Sequence, residues 1–196
     1  MIGQIQAISP ANHSGISATH AAHSIRLMSG DDIPVLMTIQ AECYPPHMLE
    51  SEAVFRSRLD AAPSTCWVLT EHQDQDQRPA AYLFSYPSSK GAITALDAPF
   101  KIASTPDCLY LHDLAVAPHM RGKKAANALV SAALKRARED GLGWSALVSV
   151  QHSQPFWMAQ GYVPVEIQHS PARENLDSYQ ASANHGPAIY MLQRLI

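Results

Sequence analysis

One segment of this chain limits its possible folds more than any other, because a hydrophobic run, a basic turn and a long amphipathic pattern follow one another directly. It covers residues 108–140 and reads CLYLHDLAVAPHMRGKKAANALVSAALKRARED. Apolar residues recur three or four positions apart from Ala126 to Ala137, which is typical of an amphipathic helix. We therefore predict a strand over 108–117 and a helix over about 121–140.

The turn between this strand and helix carries Arg121, Lys123 and Lys124. A helix dipole favours acidic groups at this end, so three cations are unfavourable there unless an anion binds. The first turn of a helix also has unpaired backbone N–H groups, and Gly122 permits close approach of a ligand. The pattern favours a cradle for a phosphate or pyrophosphate, and the alternative is a basic helix start that faces only solvent.

The strand carries a candidate catalytic residue, His112. Alternation along the strand predicts that Tyr110, His112 and Leu114 share one face and that Asp113 lies on the other. A single histidine in a strand is often a hydrogen-bonded core residue. This one lies four residues before a strand end, where ligands of open sheets gather, so it is a candidate base as well.

Weaker patterns extend over the rest of the chain. Residues 1–23 lack periodicity and are expected to form a poorly ordered arm, and residues 87–107 are expected to form a long surface loop. Three helices are predicted outside the central segment. The first runs from Asp31 and Asp32 to about Tyr44, the second has Val54, Phe55 and Leu59 on one side and Arg58 elsewhere, and a short third one covers 153–160. The remaining strands are predicted at 24–29, 66–71, 79–86, 144–150, 162–168 and 187–195.

Bulk properties narrow the class of protein. The chain has 196 residues, of which 46% are hydrophobic and 16% charged, and this suits one globular domain. A net charge of -3 gives no field to attract nucleic acid. The three cysteines have no disulfide-framework or zinc-site spacing, so no metal is expected. Without a visible leader or membrane-spanning run, a cytoplasmic protein with no membrane partner is expected.

These residues resemble the GNAT superfamily of acetyl-CoA-dependent N-acetyltransferases. The family's helix start reads Arg/Gln-x-x-Gly-x-Gly/Ala, and residues 121–126 here read Arg-Gly-Lys-Lys-Ala-Ala. HDLAVAP at 112–118 and PFWMAQGY at 155–162 are also similar, and the resemblance covers about residues 24–195. It implies an α/β (α+β) domain with a single mixed, mostly antiparallel sheet of about six to seven strands flanked by helices.

The resemblance implies transfer of acetyl from acetyl-CoA to the primary amine of a small molecule, by direct attack in a ternary complex. The chain is most similar to the arylalkylamine (serotonin) N-acetyltransferases. His112 would remove a proton from the amine, directly or through a water, with Tyr110 beside it. The acceptor would contact Tyr44, Pro45, Pro46, Glu50, Ser85 and Tyr86. Acetyl-CoA would contact Leu114, Ala115, Val116, Arg121, Gly122, Lys123, Lys124, Ala125, Ala126, Ser153 and Trp157.

Two positions depart from the family pattern. Lys124 stands at the first signature glycine, and we expect it to adopt helical dihedral angles. Trp157 replaces the tyrosine that often protonates the leaving thiolate in this family, and an indole N–H is not a useful acid at neutral pH. Water, or a hydroxyl such as that of Tyr110, would supply the proton, or the thiolate would leave unassisted.

Two other functions fit the same residues. A protein or peptide N-acetyltransferase would present an open, acidic groove, to which Glu50 and Glu52 could contribute. A non-catalytic acyl-CoA-binding sensor would keep the phosphate cradle while Lys124 and Trp157 disabled turnover. The protein is expected to be a monomer or a homodimer.

Overall fold

The computed structural model describes residues 23–73, 76–168, 170–179 and 186–196. Seven strands form one sheet in the order β1-β2-β3-β4-β5-β7-β6. They are β1 (His23–Leu27), β2 (Trp67–Gln73), β3 (Asp76–Ser88), β4 (Cys108–Val116), β5 (Trp144–Ser149), β6 (Val163–Pro164) and β7 (Ile189–Arg194). Neighbouring strands are antiparallel, except that β4 and β5 are parallel.

Within the described ranges, five α-helices flank the sheet. They are α1 (Ile33–Cys43), α2 (Glu52–Ala61), α3 (Ala125–Glu139), α4 (Gln154–Ala159) and α5 (Ala172–Asp177). Pro34 lies in the first turn of α1, where its missing N–H is not needed. Ser51 caps α2, because its hydroxyl accepts a hydrogen bond from the Val54 amide at 3.4 Å.

The hydrophobic core is divided by the sheet into two clusters. On one side, Ile33 and Leu36 of α1 and Phe55 of α2 pack near Tyr82 of β3. On the other side, the predicted apolar stripe of α3 packs against the strands through residues that include Leu129, Val130, Ala133, Leu134 and Ala137. The helices therefore hold the central strand β4 from both faces.

The two parallel strands separate halfway along β4. They pair from Cys108 with Trp144 to Leu111 with Leu147, whereas β4 continues to Val116. Beyond Leu111, the β5 side of β4 has no paired strand in the described structure. This separation opens the sheet beside the second half of β4.

A β-bulge occurs where the separation begins. In the pairing of β3 with β4, Ser85 lies opposite Leu111 and Phe84 lies opposite Asp113, which leaves His112 as an extra residue on β4. A bulge of this kind bends the strand and moves all later side chains to the other face.

The side-chain faces of β4 follow from this bulge. Tyr110 and Ala115 pack in one hydrophobic cluster, whereas Leu114 packs against the other. The predicted simple alternation is therefore wrong beyond His112. Asp113 lies on the same face as Tyr110, instead of on the opposite one.

The order of the predicted elements agrees with the structure, and the predicted mixed sheet flanked by helices is confirmed. Helix α3 begins at Ala125 rather than 121, because a 3-10 turn at Pro118–Met120 and a left-handed residue precede it. The last-but-one strand covers only Val163–Pro164, although the Val165 amide after it still donates to the Tyr190 carbonyl at 3.0 Å. Helix α5 was not predicted, and the predicted arm lies outside the described residues except for His23, which begins β1.

Candidate active site

The separation of β4 from β5 opens into a cavity of about 270 Å³, the main cavity. Its lining includes the second half of β4, the end of α1, part of β5 and the start of α4. The lining residues are Cys43, Tyr44, Leu83, Leu111, His112, Asp113, Leu114, Ala115, Val116, Arg121, Ala126, Leu147, Val148, Val150, Gln151, Ser153, Phe156 and Trp157. An open strand edge offers backbone N–H and C=O groups to an extended ligand. The main cavity can therefore bind a chain that carries amide groups.

A second hollow, of about 310 Å³, lies at the start of α3, and we call it the helix-start hollow. The Ala128 amide donates to the Lys124 carbonyl at 3.0 Å, so the amides from Lys124 to Asn127 precede the helical ladder. Gly122 has a φ of 79°, and Arg121 lines both this hollow and the main cavity. Such a combination of amides and a guanidinium suits a phosphate group.

The two lysines of the basic turn differ in their surroundings. Lys124 lines the helix-start hollow with φ 62° and ψ 17°, so the expectation of helical dihedral angles is wrong. A left-handed residue other than glycine costs about 1 to 2 kcal/mol, which gives a physical reason for the family's glycine here. The ammonium of Lys123 lies 3.9 Å from Glu71, which also bonds His119 at 2.7 Å. Lys123 is not among the residues that line either hollow.

A third space, of about 30 Å³, is the inner hollow, and it shares Tyr44, His112 and Asp113 with the main cavity. Glu50 and Tyr179 add polar atoms to its lining. Its other lining residues are Gln40, Met48 and Leu96, together with Val148 and Val150, which also line the main cavity. This volume is large enough for a water molecule with several polar partners.

The His112 ring is fixed on both sides, and its side chain is only 1% exposed. Nε2 lies 3.4 Å from Glu50 Oε1, and Nδ1 lies 3.4 Å from the Tyr179 hydroxyl, which donates to the Thr94 carbonyl at 2.6 Å. Burial and the charge of Arg58 lower the pKa of His112, although Glu50 opposes them. The imidazole is therefore neutral near pH 7 and can accept a proton.

Glu50 is paired with Arg58, which is completely buried. The guanidinium donates to the two Glu50 carboxylate oxygens at 2.5 and 2.6 Å and to the Ala98 carbonyl at 2.8 and 3.0 Å. It also lies 5.1 Å from the centre of the Phe100 ring. The sequence prediction that Arg58 lies away from the apolar side of α2 is wrong. Its position three residues after Phe55 was the available signal.

This pairing fixes the charge of Glu50. Burial opposes ionisation of Glu50, but hydrogen bonds from His112 and Arg58 outweigh it and hold the pKa well below its usual range. The Asp97 amide donates to the same carboxylate at 2.8 Å, and the Gln40 amide group donates to the Glu50 carbonyl at 3.1 Å. Glu50 is consequently a fixed, neutralised anion and is unsuited to act as a base.

Asp113 is a second buried carboxyl, and two tyrosines bind it. The hydroxyl of Tyr44 lies 2.7 Å from Oδ1, and that of Tyr82 lies 2.7 Å from Oδ2. Burial and the charge of Glu50 raise the pKa of Asp113 to about 6. The sequence placed Asp113 only on the strand face opposite His112, because the bulge that turns Asp113 toward these tyrosines has no clear sequence signature.

Four of the predicted acceptor residues are not among those that line the three hollows. Ser85 donates to the Thr65 carbonyl inside the core, and Tyr86 is also buried. Pro45 and Pro46 form the turn after α1, beside the hollows but outside their lining. Of the predicted acceptor set, Tyr44 and Glu50 remain at the site.

Tyr110, predicted to assist catalysis, is packed in the core. Its ring lies 5.5 Å from that of Tyr86 and 6.1 Å from that of His112, and its hydroxyl is buried without a hydrogen-bond partner. It is a neighbour of His112, as predicted, but does not line the main cavity or the inner hollow. It is poorly placed to donate a proton to a ligand there.

Ser153 and Trp157, predicted to contact acetyl-CoA, both line the main cavity. The Ser153 hydroxyl donates to the Val150 carbonyl at 2.7 Å, within its own turn. Trp157 is buried and packs edge-on to Tyr162, with ring centres 5.6 Å apart. Trp157 therefore provides an apolar wall.

Across the described ranges, no group of three or more His, Cys, Asp or Glu side chains is arranged to hold a metal ion. No described helix is long and apolar enough to cross a membrane.

Comparison with known sequences identifies the family. A sequence model of the acetyltransferase (GNAT) family matches residues 33–162, which is more than half of the chain. The chain belongs to the acetyltransferase (GNAT) family. No match was found among the curated proteins. The matched range includes β4, α3 and α4, so the GNAT assignment covers the main cavity and the helix-start hollow.

Several solved structures share this GNAT fold. The GphF GNAT-like decarboxylase in complex with isobutyryl-CoA is 17% identical, with a TM-score of 0.65 over 88% of this chain and 100% of that chain. The NatC complex bound to Gag peptide and CoA is 14% identical, with a TM-score of 0.66 over 90% of this chain and 100% of that chain. The ribosomal-protein-S18-alanine N-acetyltransferase from Escherichia coli is 15% identical, with a TM-score of 0.62 over 88% of this chain and 94% of that chain.

These likenesses establish the fold and leave the substrate class open. Their names include a decarboxylase and an alanine N-acetyltransferase, so one fold carries several reactions. The first two are complexes with an acyl-CoA or CoA, which is consistent with acetyl-CoA as co-substrate here.

Proposed function

We propose that this protein transfers the acetyl group of acetyl-CoA to the primary amine of a small molecule, by direct attack in a ternary complex. The observation that carries the proposal is the meeting of the main cavity and the inner hollow at His112. The main cavity suits an acyl donor, and the inner hollow has room for a water beside His112, through which an incoming amine can lose its proton.

The residues present fit the donor. The amide groups of a pantetheine arm can bond to the open edge of β4 at Leu114 and Val116. The pyrophosphate can bind the free amides at the start of α3 and the guanidinium of Arg121. Because β4 runs from the bulge at His112 toward this helix start, the thioester end of the donor would lie nearest His112.

His112 is the proposed base. An amine must lose a proton to attack a carbonyl carbon, and the lowered pKa of His112 keeps its ring neutral and able to accept one. Both ring nitrogens already face protein oxygens, from Glu50 and Tyr179, and the ring is almost fully buried. The proton would therefore reach it through a water in the inner hollow.

Direct attack is favoured over an acyl-enzyme because of the state of Cys43, the described cysteine that lines the main cavity. Its thiol donates to the Val116 carbonyl at 3.3 Å. Burial raises the pKa of Cys43, although the Arg121 guanidinium and this bond oppose the rise. A thiol with a raised pKa is a weak nucleophile near pH 7.

A small acceptor is favoured over a peptide by the charge state of the site. Glu50 was a candidate for an acidic groove, but Arg58 neutralises it inside the core. The main cavity, rather than the inner hollow of about 30 Å³, has the room for an acceptor, and Tyr44, Leu111 and Val148 give it aromatic and aliphatic walls. These walls suit an amine with an apolar part, so the arylalkylamines that the sequence resemblance suggests are the first acceptors to test.

The test is the release of free thiol from acetyl-CoA with a panel of arylalkylamines, polyamines, amino sugars and lysine peptides, corrected for hydrolysis without amine. We expect the highest kcat/KM with a small amine. Turnover with peptides alone would support the peptide alternative. A melting temperature raised by CoA, without turnover, would support the sensor. If acetyl-CoA is not turned over and CoA does not shift the melting temperature, the proposed function is wrong.

A further inference from the structure

The departing sulfur of acetyl-CoA needs a proton, and the residues expected to supply it are unsuitable. Trp157 lines the main cavity, but its indole N–H is not a useful acid. The hydroxyl of Tyr110 is buried away from the cavity lining. If the step is acid-assisted, the proton comes from water or from another group at the cavity. The Ser153 hydroxyl also lines the cavity, but it donates to the Val150 carbonyl at 2.7 Å.

Tyr44 carries another hydroxyl at the cavity. It follows α1 and lines both the main cavity and the inner hollow. Its hydroxyl lies 2.7 Å from Asp113 Oδ1 and 3.1 Å from the Leu114 carbonyl oxygen. Leu114 belongs to the open edge of β4, so the phenol lies beside the proposed binding site of the pantetheine arm.

We infer that Tyr44 is the general acid of the transfer and that Asp113 replaces the proton that Tyr44 gives up. This inference rests on the proposed acetyl transfer. Tyr44 contacts the leaving group in this arrangement, whereas Asp113 acts through Tyr44 and is a positioning residue. Tyr44 and Asp113 together thus protonate the leaving thiolate, which is the role of the family's tyrosine at the position of Trp157.

The proton transfers balance as follows. The carbon–sulfur bond breaks, and its electron pair goes to the sulfur, which takes the phenolic proton of Tyr44. The carboxylic acid form of Asp113 passes its proton from Oδ1 to the Tyr44 oxygen across their 2.7 Å hydrogen bond. Asp113 is left as a carboxylate and regains a proton from solvent through the main cavity, which it lines, after the products leave.

The electrostatics are compatible with this relay. Burial and Asp113 raise the pKa of Tyr44, so its phenol holds a proton at rest. The pKa of Asp113, raised to about 6 by burial and Glu50, leaves a minor acid form near neutral pH. That acid form is stronger than a thiol, whose ordinary pKa is about 8.5, so net transfer to the sulfur is downhill.

The chain offers a matched control in Tyr82, which bonds the other oxygen of Asp113 at the same distance but does not line the main cavity. We expect Tyr44→Phe to lower kcat about 10²-fold, within the usual range for a general acid, with little change in the KM for acetyl-CoA. Tyr82→Phe should retain most of the turnover. Equal losses in the two variants would mean that Tyr44 only holds Asp113 in place, and the inference would be wrong.

A binding measurement tests the same hydroxyl without an acceptor. Calorimetry would compare CoA with desulfo-CoA, in which hydrogen replaces the thiol. Wild-type protein and Tyr82→Phe should prefer CoA by about two- to tenfold, as one hydrogen bond allows, and Tyr44→Phe should lose the preference. The same preference in all three proteins contradicts the inference.

The two measurements also separate this inference from the proposed function. If CoA binds and no amine is acetylated, the proposed function fails, while the comparison of CoA with desulfo-CoA still decides the role of Tyr44. If the wild-type protein binds neither ligand, both are wrong. If amines are acetylated and Tyr44→Phe matches the wild-type rate, only the inference fails.

Discussion

The two ends of the site are assembled from different kinds of sequence. The donor end, formed by the open edge of β4 and the start of α3, comes mainly from residues that follow one another between 112 and 127. The inner end joins Tyr44, Glu50, His112 and Tyr179, which are far apart in the chain. The donor end relies on backbone groups, whereas the inner end relies on buried side chains.

This difference implies that single side-chain changes should have unequal effects at the two ends. A site built from backbone amides tolerates substitution, because the amides remain when a side chain is removed. A site built from buried, mutually bonded side chains loses partners with each removal. Four substitutions, in decreasing order of expected effect, test this contrast.

The largest effect is expected for Arg58→Met at the inner end. Loss of the guanidinium leaves the Glu50 carboxylate buried without its balancing charge, which should lower the free energy of unfolding by about 3 to 5 kcal/mol at neutral pH. Urea unfolding measures this. Arg56→Met is the matched control on the same helix, because Arg56 is exposed, pairs with Glu52 at the surface and otherwise makes a long hydrogen bond of 3.5 Å to the Gly30 carbonyl. Similar losses in both variants would contradict the importance of the buried pair.

The same variant should have a distinctive pH dependence. The pKa of Glu50 is lowered in the folded protein, so its contribution to stability is present above the unfolded value of about 4.3 and is lost as the pH falls below it. In Arg58→Met the carboxyl should instead fold in its protonated form. The stability difference between wild type and variant should therefore narrow as the pH falls toward about 4.

His112→Ala should lower turnover about 10²-fold near neutral pH, at the lower end for a general base because the proton passes through water. The loss should shrink at high pH, where the amine is already deprotonated. In the wild type, the acid limb of kcat should lie below about pH 6.5, because burial lowers the pKa of His112. His119→Ala, at an exposed histidine paired with Glu71, is the control. An equal loss at every pH would assign His112 a structural role only.

Arg121→Ala should weaken acetyl-CoA binding by about 1 to 3 kcal/mol, because one charged hydrogen-bond donor is lost while the amides of α3 remain. Calorimetry measures the change. Lys123→Ala should have a smaller effect, since its ammonium lies near Glu71 rather than in the helix-start hollow. Equal effects would support the prediction from sequence that both cations hold the phosphates.

The smallest effect, and one of opposite sign, is expected for Lys124→Gly. Glycine adopts a φ of 62° without the strain of a lysine, so the free energy of unfolding should rise by about 1 kcal/mol. Thermal unfolding measures the gain. Lys123→Gly is the control, because Lys123 is not a positive-φ residue and glycine there should be destabilising. If acetyl-CoA affinity falls in Lys124→Gly while stability rises, the Lys124 ammonium contacts the donor.

The sequence by itself determined the features that depend on neighbouring residues. The period of the apolar residues after Ala126 predicts α3, and the succession of strand, basic turn and helix predicts a donor site around Arg121 and Gly122. These features are readable because a helix stripe and a helix N-terminus are local: their geometry follows from spacing and from backbone groups that every sequence possesses.

Only the tertiary structure decided the inner end of the site. The bulge at His112 reversed the faces of β4 and brought Asp113 to Tyr44, although alternation alone placed Asp113 elsewhere. Arg58 reached Glu50 because α2 packs its buried face toward the loop that carries Ala98. Strand register and the pairing of buried charges depend on which distant segments meet, and spacing along the chain does not encode that choice.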